Sequence, residues 1–293
     1  MKNIVFALLL SLLTGAVFAQ SETVKTEVIA TELAPGIYRL FVDNRVSVAL
    51  QNGPDGLLLI DAAYDRTAAE VKEALRELSD KEIRFLINTH LHGDHTGGNA
   101  VLGKGAHIIA HPTVKEYLSK DQVRGETTFP APPVHARPDI TIKGTMTLDF
   151  NNETIEITHL PGGHTGGDLL VYFPAAGVLV VGDLLFAGYF PYVDVSNGGN
   201  PLTYLKNVDW ILNNFPDNTI FSGGHGPVFS KTEYKNWLNN LSETLEVLQK
   251  ARSQGMDAEQ MKSAGLLNKW ASFGSFFITE DRWIDTLYPF LQQ

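Results

Sequence analysis

Thr89-His90-Leu91-His92-Gly93-Asp94-His95 packs four potential metal ligands into six residues, and this segment decides how the rest of the chain is interpreted. Imidazole nitrogens and carboxylate oxygens are donors that suit zinc, iron or manganese. The apolar run 83–88 before the segment predicts a buried strand, and Gly97-Gly98 after it indicates a turn that opens a helix. We therefore expect the ligands at the carboxyl end of a strand, where a rigid element presents them to a cleft.

Three later segments repeat the pattern of an apolar run that ends in a glycine-flanked histidine or aspartate. They are residues 154–168 with His164, 178–183 with Asp183, and 219–227 with His225. Eleven of the 26 glycines lie in these four places, and glycine permits tight turns and close approach of the backbone. The sequence therefore predicts four loops bent around one shared site. Its seven candidate ligands are His90, His92, Asp94, His95, His164, Asp183 and His225.

The order and spacing of these ligands resemble the metallo-β-lactamase superfamily over about residues 30–230. The resemblance implies an α+β fold, a four-layer αβ/βα sandwich in which two mixed sheets face each other with helices outside. The metal site would lie at one edge of the sheets. By the same resemblance, Asp183 would bridge two metal ions. The first ion would be held by His90, His92 and His164, and the second by Asp94, His95 and His225.

The site that the resemblance implies indicates that the chain is an enzyme of the metallo-hydrolase class. Two divalent ions about 3.5–4 Å apart would bind a water between them and give a nucleophilic hydroxide at neutral pH. The predicted cofactor is Zn2+, two ions per chain, with iron or manganese as alternatives, and the predicted target is an ester, thioester, lactone, amide or β-lactam bond. Asp94 is expected to orient the hydroxide or accept its proton. Tyr189 and Tyr192 are candidate donors to a developing oxyanion, with packing as the alternative.

Departures from known branches narrow the choice of relatives. The β-lactamase branch with a cysteine ligand is excluded, because Asp183 stands at that position and Phe186 replaces the lysine that follows three residues later. The seven-ligand set is instead similar to that of glyoxalase II and the lactonases. Two alternatives stay open. One is an oxygenase like the persulfide dioxygenases, with one iron on His90, His164 and Asp183, and the other is a non-catalytic metal-binding member of the fold.

The first nineteen residues predict a signal peptide, residues 1–19, on an exported protein that is periplasmic or secreted in a bacterium. Lys2 gives a positive start, residues 4–13 are mostly apolar, and Val17-Phe18-Ala19 offers small residues for cleavage. The apolar stretch is shorter than the roughly 20 residues of a membrane span, so no stable anchor is expected after cleavage. Export would argue against the assignment of this chain as an ordinary glyoxalase II, because the thioester substrate of glyoxalase II is cytoplasmic.

The charge and the cysteine content of the chain argue against nucleic-acid and membrane partners and exclude disulfide bonds. The net charge of −10 argues against a nucleic-acid or anionic-membrane partner, because phosphate binding depends on Lys and Arg. A small-molecule substrate is expected, and the sequence leaves the oligomeric state open. No disulfide can form, because the chain contains no cysteine.

Residues 20–293 are predicted to form one domain, with a helical C-terminal extension from about residue 230. A β-meander is expected over 37–61, a helix over 66–78, a helix opened by Asn200-Pro201, and a loop over 122–138 that lies near the site or on the surface. The extension is expected to pack on the sandwich, with a lid or a dimer contact as alternatives.

Four further histidines have weaker assignments. We expect packing or surface positions for His107 and His111, a substrate contact at His135 as one option, and a contact to a metal ligand at His159 as one option.

Overall fold

Two mixed β-sheets dominate the computed structural model, which describes residues 26–292. The predicted signal peptide lies outside the described residues. In the first sheet, the strand order is β1-β2-β3-β4-β5-β6-β9, antiparallel from β1 to β4 and parallel from β4 onward. In chain order, the strands of this sheet are β1 (Val28–Ala34), β2 (Ile37–Val42), β3 (Val46–Gly53), β4 (Gly56–Ile60), β5 (Ile83–Ile87), β6 (His107–Ala110) and β9 (Ile140–Thr141). Between β6 and β9, β7 (Gln122–Arg124) and β8 (Thr127–Phe129) form a separate hairpin.

The second sheet is formed by the strands that follow. Its order is β10 to β15, and all neighbours are antiparallel except β13 and β14, which run parallel. The strands are β10 (Thr145–Phe150), β11 (Glu153–Leu160), β12 (Asp168–Phe173), β13 (Val178–Phe186), β14 (Ile220–His225) and β15 (Phe229–Ser230). The helices are α1 (Ala68–Leu78), α2 (Gly93–Thr96), α3 (Asn99–Leu102), α4 (Pro112–Leu118), α5 (Pro201–Asn214), α6 (Lys231–Ser253), α7 (Ala258–Ser263) and α8 (Glu280–Leu287).

Aliphatic side chains from both sheets fill the space between them. Ile60 and Ile109 of the first sheet and Ile157 and Val171 of the second belong to one buried cluster. The outer face of the first sheet is covered by α1, and that of the second by α5, α6 and α8. Because each sheet buries one face on the other and one face under helices, the fold has four layers. This confirms the predicted αβ/βα sandwich.

Local predictions hold where a side chain closes a helix end. The Asn200 side chain accepts hydrogen bonds from the backbone N–H groups of Leu202 and Thr203 at 2.9 and 3.0 Å, which caps α5 as the sequence predicted. The prediction of a loop over residues 122–138 is wrong in part, because β7 and β8 form a hairpin there. Its strands are only three residues long, too short for alternation to be visible in the sequence. Val123 is 69% exposed, so the hairpin is a surface excursion.

The C-terminal extension packs on the second sheet, as expected. Trp237 and Leu241 of α6 and Trp283 of α8 are buried in the same cluster as the residues that follow Asp183. The indole Nε1 of Trp283 donates to the hydroxyl of Thr244 at 2.9 Å, with both side chains fully buried. The extension is therefore part of the core. Within residues 26–292, none of the helices combines the length and apolar character that crossing a membrane requires.

Candidate metal centre

The seven candidate ligands come from four places at one edge of the sandwich. His90 and His92 lie in the turn after β5, Asp94 and His95 lie in α2, His164 lies between β11 and β12, and His225 ends β14. Asp183 differs from the sequence expectation of a strand end, since β13 continues through it to Phe186. The strand bends instead at Gly182, which has φ +51°, and a Cβ there would lie 2.7 Å from the hydroxyl of Thr89. Glycine at this position therefore lets β13 pass the β5 turn closely.

The first cluster contains His90, His92, His164 and Asp183, with ligand atoms all within 4.8 Å of one another. His92 Nδ1 lies 3.1 Å from His90 Nε2 and 2.9 Å from His164 Nε2. Asp183 Oδ2 lies 3.3 Å from His164 Nε2 and 3.7 Å from His90 Nε2. Three imidazole nitrogens and one carboxylate oxygen thus converge on one point.

The second cluster contains Asp94, His95 and His225, again within 4.8 Å. Asp183 also reaches this cluster, since its Oδ2 lies 3.4 Å from His225 Nε2 and its Oδ1 lies 3.1 Å from His95 Nε2. Asp94 Oδ2 lies 3.5 Å from His225 Nε2. One carboxylate therefore touches both groups of donors, which is the arrangement that the bridging prediction requires.

Each histidine of the site turns one nitrogen toward the clusters, and a polar group holds the other nitrogen. His164 Nδ1 donates to the carbonyl of Tyr192 at 2.7 Å and His225 Nδ1 to the carbonyl of Arg45 at 2.6 Å. Because a carbonyl only accepts, these bonds place the proton on Nδ1 and leave the Nε2 lone pair directed inward. The remaining outward partners are Asp194 Oδ2 for His92 Nε2 at 2.8 Å, Asp61 Oδ2 for His95 Nδ1 at 2.7 Å and Thr89 Oγ1 for His90 Nδ1 at 3.1 Å.

Charge is distributed unequally between the clusters. Burial holds the pKa of His90 well below its ordinary value and lowers that of His164 to about 4, so both rings are neutral at pH 7. Burial also acts on His95, but Asp183 and Asp61 outweigh it and raise the pKa of His95 well above the ordinary range. For Asp183, burial favours the neutral acid, yet the surrounding histidines hold its pKa well below the usual value. The first cluster therefore combines an ionised buried carboxylate with the neutral rings of His90 and His164, whereas the carboxylates around the second cluster favour the protonated form of His95.

Two features show that these residues fit divalent metal ions. His95 Nε2 and Asp183 Oδ1 are buried and make no hydrogen bond among the described residues, although most buried polar atoms have a partner. The backbone also leaves them room, because a Cβ on Gly224 would lie 2.0 Å from Asp183 Oδ1 and 3.0 Å from His95 Cε1. With a nitrogen-rich donor set completed by carboxylates, the chemistry suits zinc, iron or manganese.

Three residues of the site were missed by the sequence analysis. Asp61 follows β4 directly, holds His95, and also accepts from the backbone N–H of Thr89 at 2.7 Å. An apolar run that ends on a carboxylate was the available signal for it. Tyr64 donates to Asp94 Oδ2 at 3.4 Å, and Asp194 holds His92. Neither of these two had a signal, because both reach the site only through tertiary contacts.

The tyrosines after Asp183 lie beside the site. The Tyr192 ring centroid is 5.6 Å from that of His92 and 5.8 Å from that of His164. Tyr189 packs on Phe276 with ring centroids 5.0 Å apart. The hydroxyl role predicted for Tyr192 stays a prediction, while its backbone carbonyl has the positioning role described above.

The four other histidines lie outside both clusters. His107 is exposed and paired with Asp139 at 2.7 Å, and His135 is exposed and donates to the carbonyl of Ala100 at 3.2 Å. His111 and His159 stack with ring centroids 4.1 Å apart. His159 donates to the carbonyl of Gly166 at 3.0 Å, so it supports the loop of His164 through the backbone rather than through the ligand itself.

Known proteins similar to this chain include several hydrolases. The Probable metallo-hydrolase YqgX of Bacillus subtilis (strain 168) is 29% identical over 179 residues, which cover 59% of this chain and 83% of that protein. A hydroxyacylglutathione hydrolase of Synechococcus sp. (strain JA-2-3B'a(2-13)) is 32% identical over 131 residues, which cover 43% of this chain and 44% of that protein. The match thus spans less than half of the second relative.

Solved structures share the fold at low sequence identity. A metallo-beta-lactamase from Pontibacter korlensis superposes with a TM-score of 0.59 at 17% identity, covering 73% of this chain and 98% of that one. The sec-alkylsulfatase Pisa1 from Pseudomonas sp. has a TM-score of 0.67 at 15% identity, covering 89% and 50%. The sequence model of the metallo-beta-lactamase superfamily matches residues 41–239, more than half of the chain. This chain therefore belongs to the metallo-beta-lactamase superfamily.

Proposed function

We propose that this protein is a metal-dependent hydrolase with two divalent ions, zinc first among the candidates, that cleaves an ester, thioester, lactone or β-lactam bond. The observation that carries the proposal is the position of Asp183, whose two oxygens face both donor clusters at 3.1 to 3.7 Å. The second set of three converging donors, Asp94, His95 and His225, offers a place for a second ion. The similarity to proteins named as metallo-hydrolase and hydroxyacylglutathione hydrolase supports the same class of reaction.

The ligand assignment follows the two clusters. When bound, a pair of divalent ions supplies a water of lowered pKa for attack at neutral pH and an electrophile for the substrate's carbonyl oxygen. Asp183 would contribute to both ions. The first would be held by His90, His92 and His164, and the second by Asp94, His95 and His225.

Residues of the chain would also move protons and bind the substrate. Asp94 is the more accessible of the two ligand carboxylates, with its side chain 18% exposed against 4% for Asp183. It is therefore placed to accept the proton released during attack and to pass it to solvent. Tyr64 would orient this carboxylate through its hydroxyl. Tyr192, beside the first cluster, is the proposed donor to the developing oxyanion.

Hydrolysis of a panel of substrates tests the proposal. Protein purified without chelators would be assayed on thioesters, esters, lactones and β-lactams, before and after chelator treatment and zinc return. Because the chain contains no cysteine, a thiol reagent reports thioester cleavage without a protein background. We expect chelator-sensitive, zinc-restored turnover of at least one of these classes.

Two other results would contradict the proposal in different ways. A single iron per chain, with oxygen uptake on a persulfide, would move the assignment to the dioxygenase-like alternative. Two bound metals with no turnover of any substrate class would favour the non-catalytic alternative.

A further inference from the structure

We infer that the C-terminal extension supplies an aromatic wall to the metal centre, and that this wall selects substrates with an aromatic or alkyl acyl group beside the reacting carbonyl. The inference rests on the proposed hydrolase function. The wall consists of Tyr189, Tyr192, Phe276 and Phe277. Two of these residues follow β13, and the other two come from the segment between α7 and α8, outside the stretch that the family model matches.

Phe276 brings the extension next to a candidate metal ligand. Its ring centroid lies 5.6 Å from that of His225 and 5.0 Å from that of Tyr189. The indole Nε1 of Trp237 donates to the carbonyl of Tyr189 at 2.9 Å, so α6 fixes the other side of this pair. An apolar ring from outside the family-matched stretch thus borders the second cluster.

Phe277 extends the same surface toward the first cluster. Its ring meets Tyr192 edge to face with centroids 5.7 Å apart, and Tyr192 in turn lies 5.6 Å from His92. The Phe277 side chain is 50% exposed, yet it is held in place. The Arg282 guanidinium lies 4.8 Å over its ring and donates to its backbone carbonyl at 3.1 Å. A ring that is both exposed and fixed is preorganised to bind an apolar group.

The segment that carries these rings is anchored to the chain that directly follows β13, the strand that contains Asp183. The backbone N–H of Phe190 donates to the carbonyl of Phe273 at 2.9 Å. The Phe190 ring stacks on Trp283 with centroids 5.8 Å apart. The position of the wall relative to Asp183 is therefore set by buried contacts.

The surface that results has apolar character where a bound acyl group would lie. Phe186, which is buried in the core, stacks on His225 with centroids 4.8 Å apart and so supports from inside the ring that Phe276 borders. Aromatic side chains stabilise bound rings and alkyl groups through burial and edge or stacking contacts. The matching substrates are esters and thioesters of arylacetic and medium-chain acids, and a short polar acyl group would leave most of the wall uncovered.

A pair of thioesters with one small leaving group tests the wall. The ratio of kcat/KM for phenylacetyl to acetyl thioesters of 2-mercaptoethanol should be about tenfold or more in the native chain. Phe277→Ala should lower this ratio about tenfold, and Phe277→Leu should lower it less. Trp210→Ala is the matched control, because Trp210 is a 40% exposed aromatic that packs on Phe215 instead of the site. This variant should leave the ratio unchanged.

Binding of phenylacetate provides a readout that does not depend on turnover. Saturation-transfer NMR on protein with and without chelator should show contact to the phenyl protons, and Phe277→Ala should reduce it. Hydrolysis with a ratio that Phe277→Ala leaves unchanged would overturn the wall and leave the hydrolase standing. Phenylacetate contact that depends on Phe277, without turnover of any substrate, would keep the wall and overturn the hydrolase. Absence of both signals would overturn both.

Discussion

The candidate metal ligands and the proposed aromatic wall lie next to each other, but they are held in different ways. All five histidines of the two clusters have their outward nitrogens bonded to a side chain or a carbonyl at 2.6 to 3.1 Å. The wall relies on ring contacts, with centroids about 5 to 6 Å apart, and Phe277 stays half exposed. Hydrogen bonds fix direction closely, whereas ring contacts tolerate small shifts. The first region is thus suited to hold ions, and the second to accept substrates of varied shape.

The largest effect should come from the residue that joins the two clusters. Asp183→Asn keeps the shape of the side chain but removes the charge that faces four histidines. We expect loss of both metals and a fall in kcat/KM of about 10³-fold or more. Elemental analysis and thioester hydrolysis measure the two effects. Full metal content with full activity would break the bridging assignment.

Loss of a hydrogen bond that holds a candidate ligand should lower zinc affinity less than loss of Asp183 does. Asp194→Asn weakens the acceptor for His92 Nε2, and we expect zinc affinity to fall about 10- to 100-fold. Competition with a chromophoric chelator measures the affinity. Asp209→Asn, the same substitution on the exposed face of α5, is the matched control. Equal affinities for both variants would show that Asp194 does not position His92.

The extension should affect stability before it affects metal binding. Thr244→Val removes the acceptor of the buried Trp283 indole, and we expect unfolding free energy to fall by about 1–3 kcal/mol. Urea unfolding measures this loss, and zinc affinity should stay unchanged. Thr286→Val, at a half-buried position of α8 where the hydroxyl donates only to the carbonyl of Arg282 in the same helix, should cost about 0.5 kcal/mol or less. A loss of zinc affinity in Thr244→Val would erase the distinction between the two regions.

The smallest effect concerns pH and the loop of His164. Burial first, with help from His159 and Lys143, lowers the pKa of His111 to about 4. The unfolded chain, with an ordinary pKa near 6.5, therefore gains a proton that the folded protein resists. Stability should fall as pH drops from about 6.5 to 4, by about 1–2 kcal/mol after solvent screening. Protonation would also end the hydrogen bond that His111 Nδ1 accepts from the N–H of Thr113.

His111→Asn isolates this titration, because asparagine can still cap α4. Urea unfolding at pH 7 and pH 4.5 should show a smaller loss of stability in this variant than in the native chain. His135→Asn removes an exposed histidine instead. This variant should lose as much stability between pH 7 and pH 4.5 as the native chain. Identical pH dependence in all three proteins would exclude His111 as its source.

The sequence predicted which seven residues the structure brings together, because metal-binding sites impose a pattern on short segments, and their role as ligands stays a prediction. His90, His92 and His95 lie within six residues, and each of the three distant candidates, His164, Asp183 and His225, directly follows a glycine. Asp61 also ends an apolar run, but no glycine flanks it, and it was missed because a single carboxylate after a strand is common without a metal-binding role. The four-layer fold followed from the family resemblance, and the structure confirms it.

The support residues and the wall could not be predicted for a physical reason. Asp194 meets His92 across 102 residues, and Phe276 meets His225 across the packing of the extension. No local spacing encodes such contacts, since they depend on how elements pack. The sequence predicted that the extension packs on the sandwich, but not that its Phe276 and Phe277 lie beside the two clusters.

The most direct test of the dinuclear assignment is the metal content of protein purified without chelators or added metal, measured by plasma mass spectrometry. We expect about two divalent ions per chain, zinc first among them, and far fewer in Asp183→Asn. One iron per chain, or a native metal content that Asp183→Asn leaves unchanged, would contradict it.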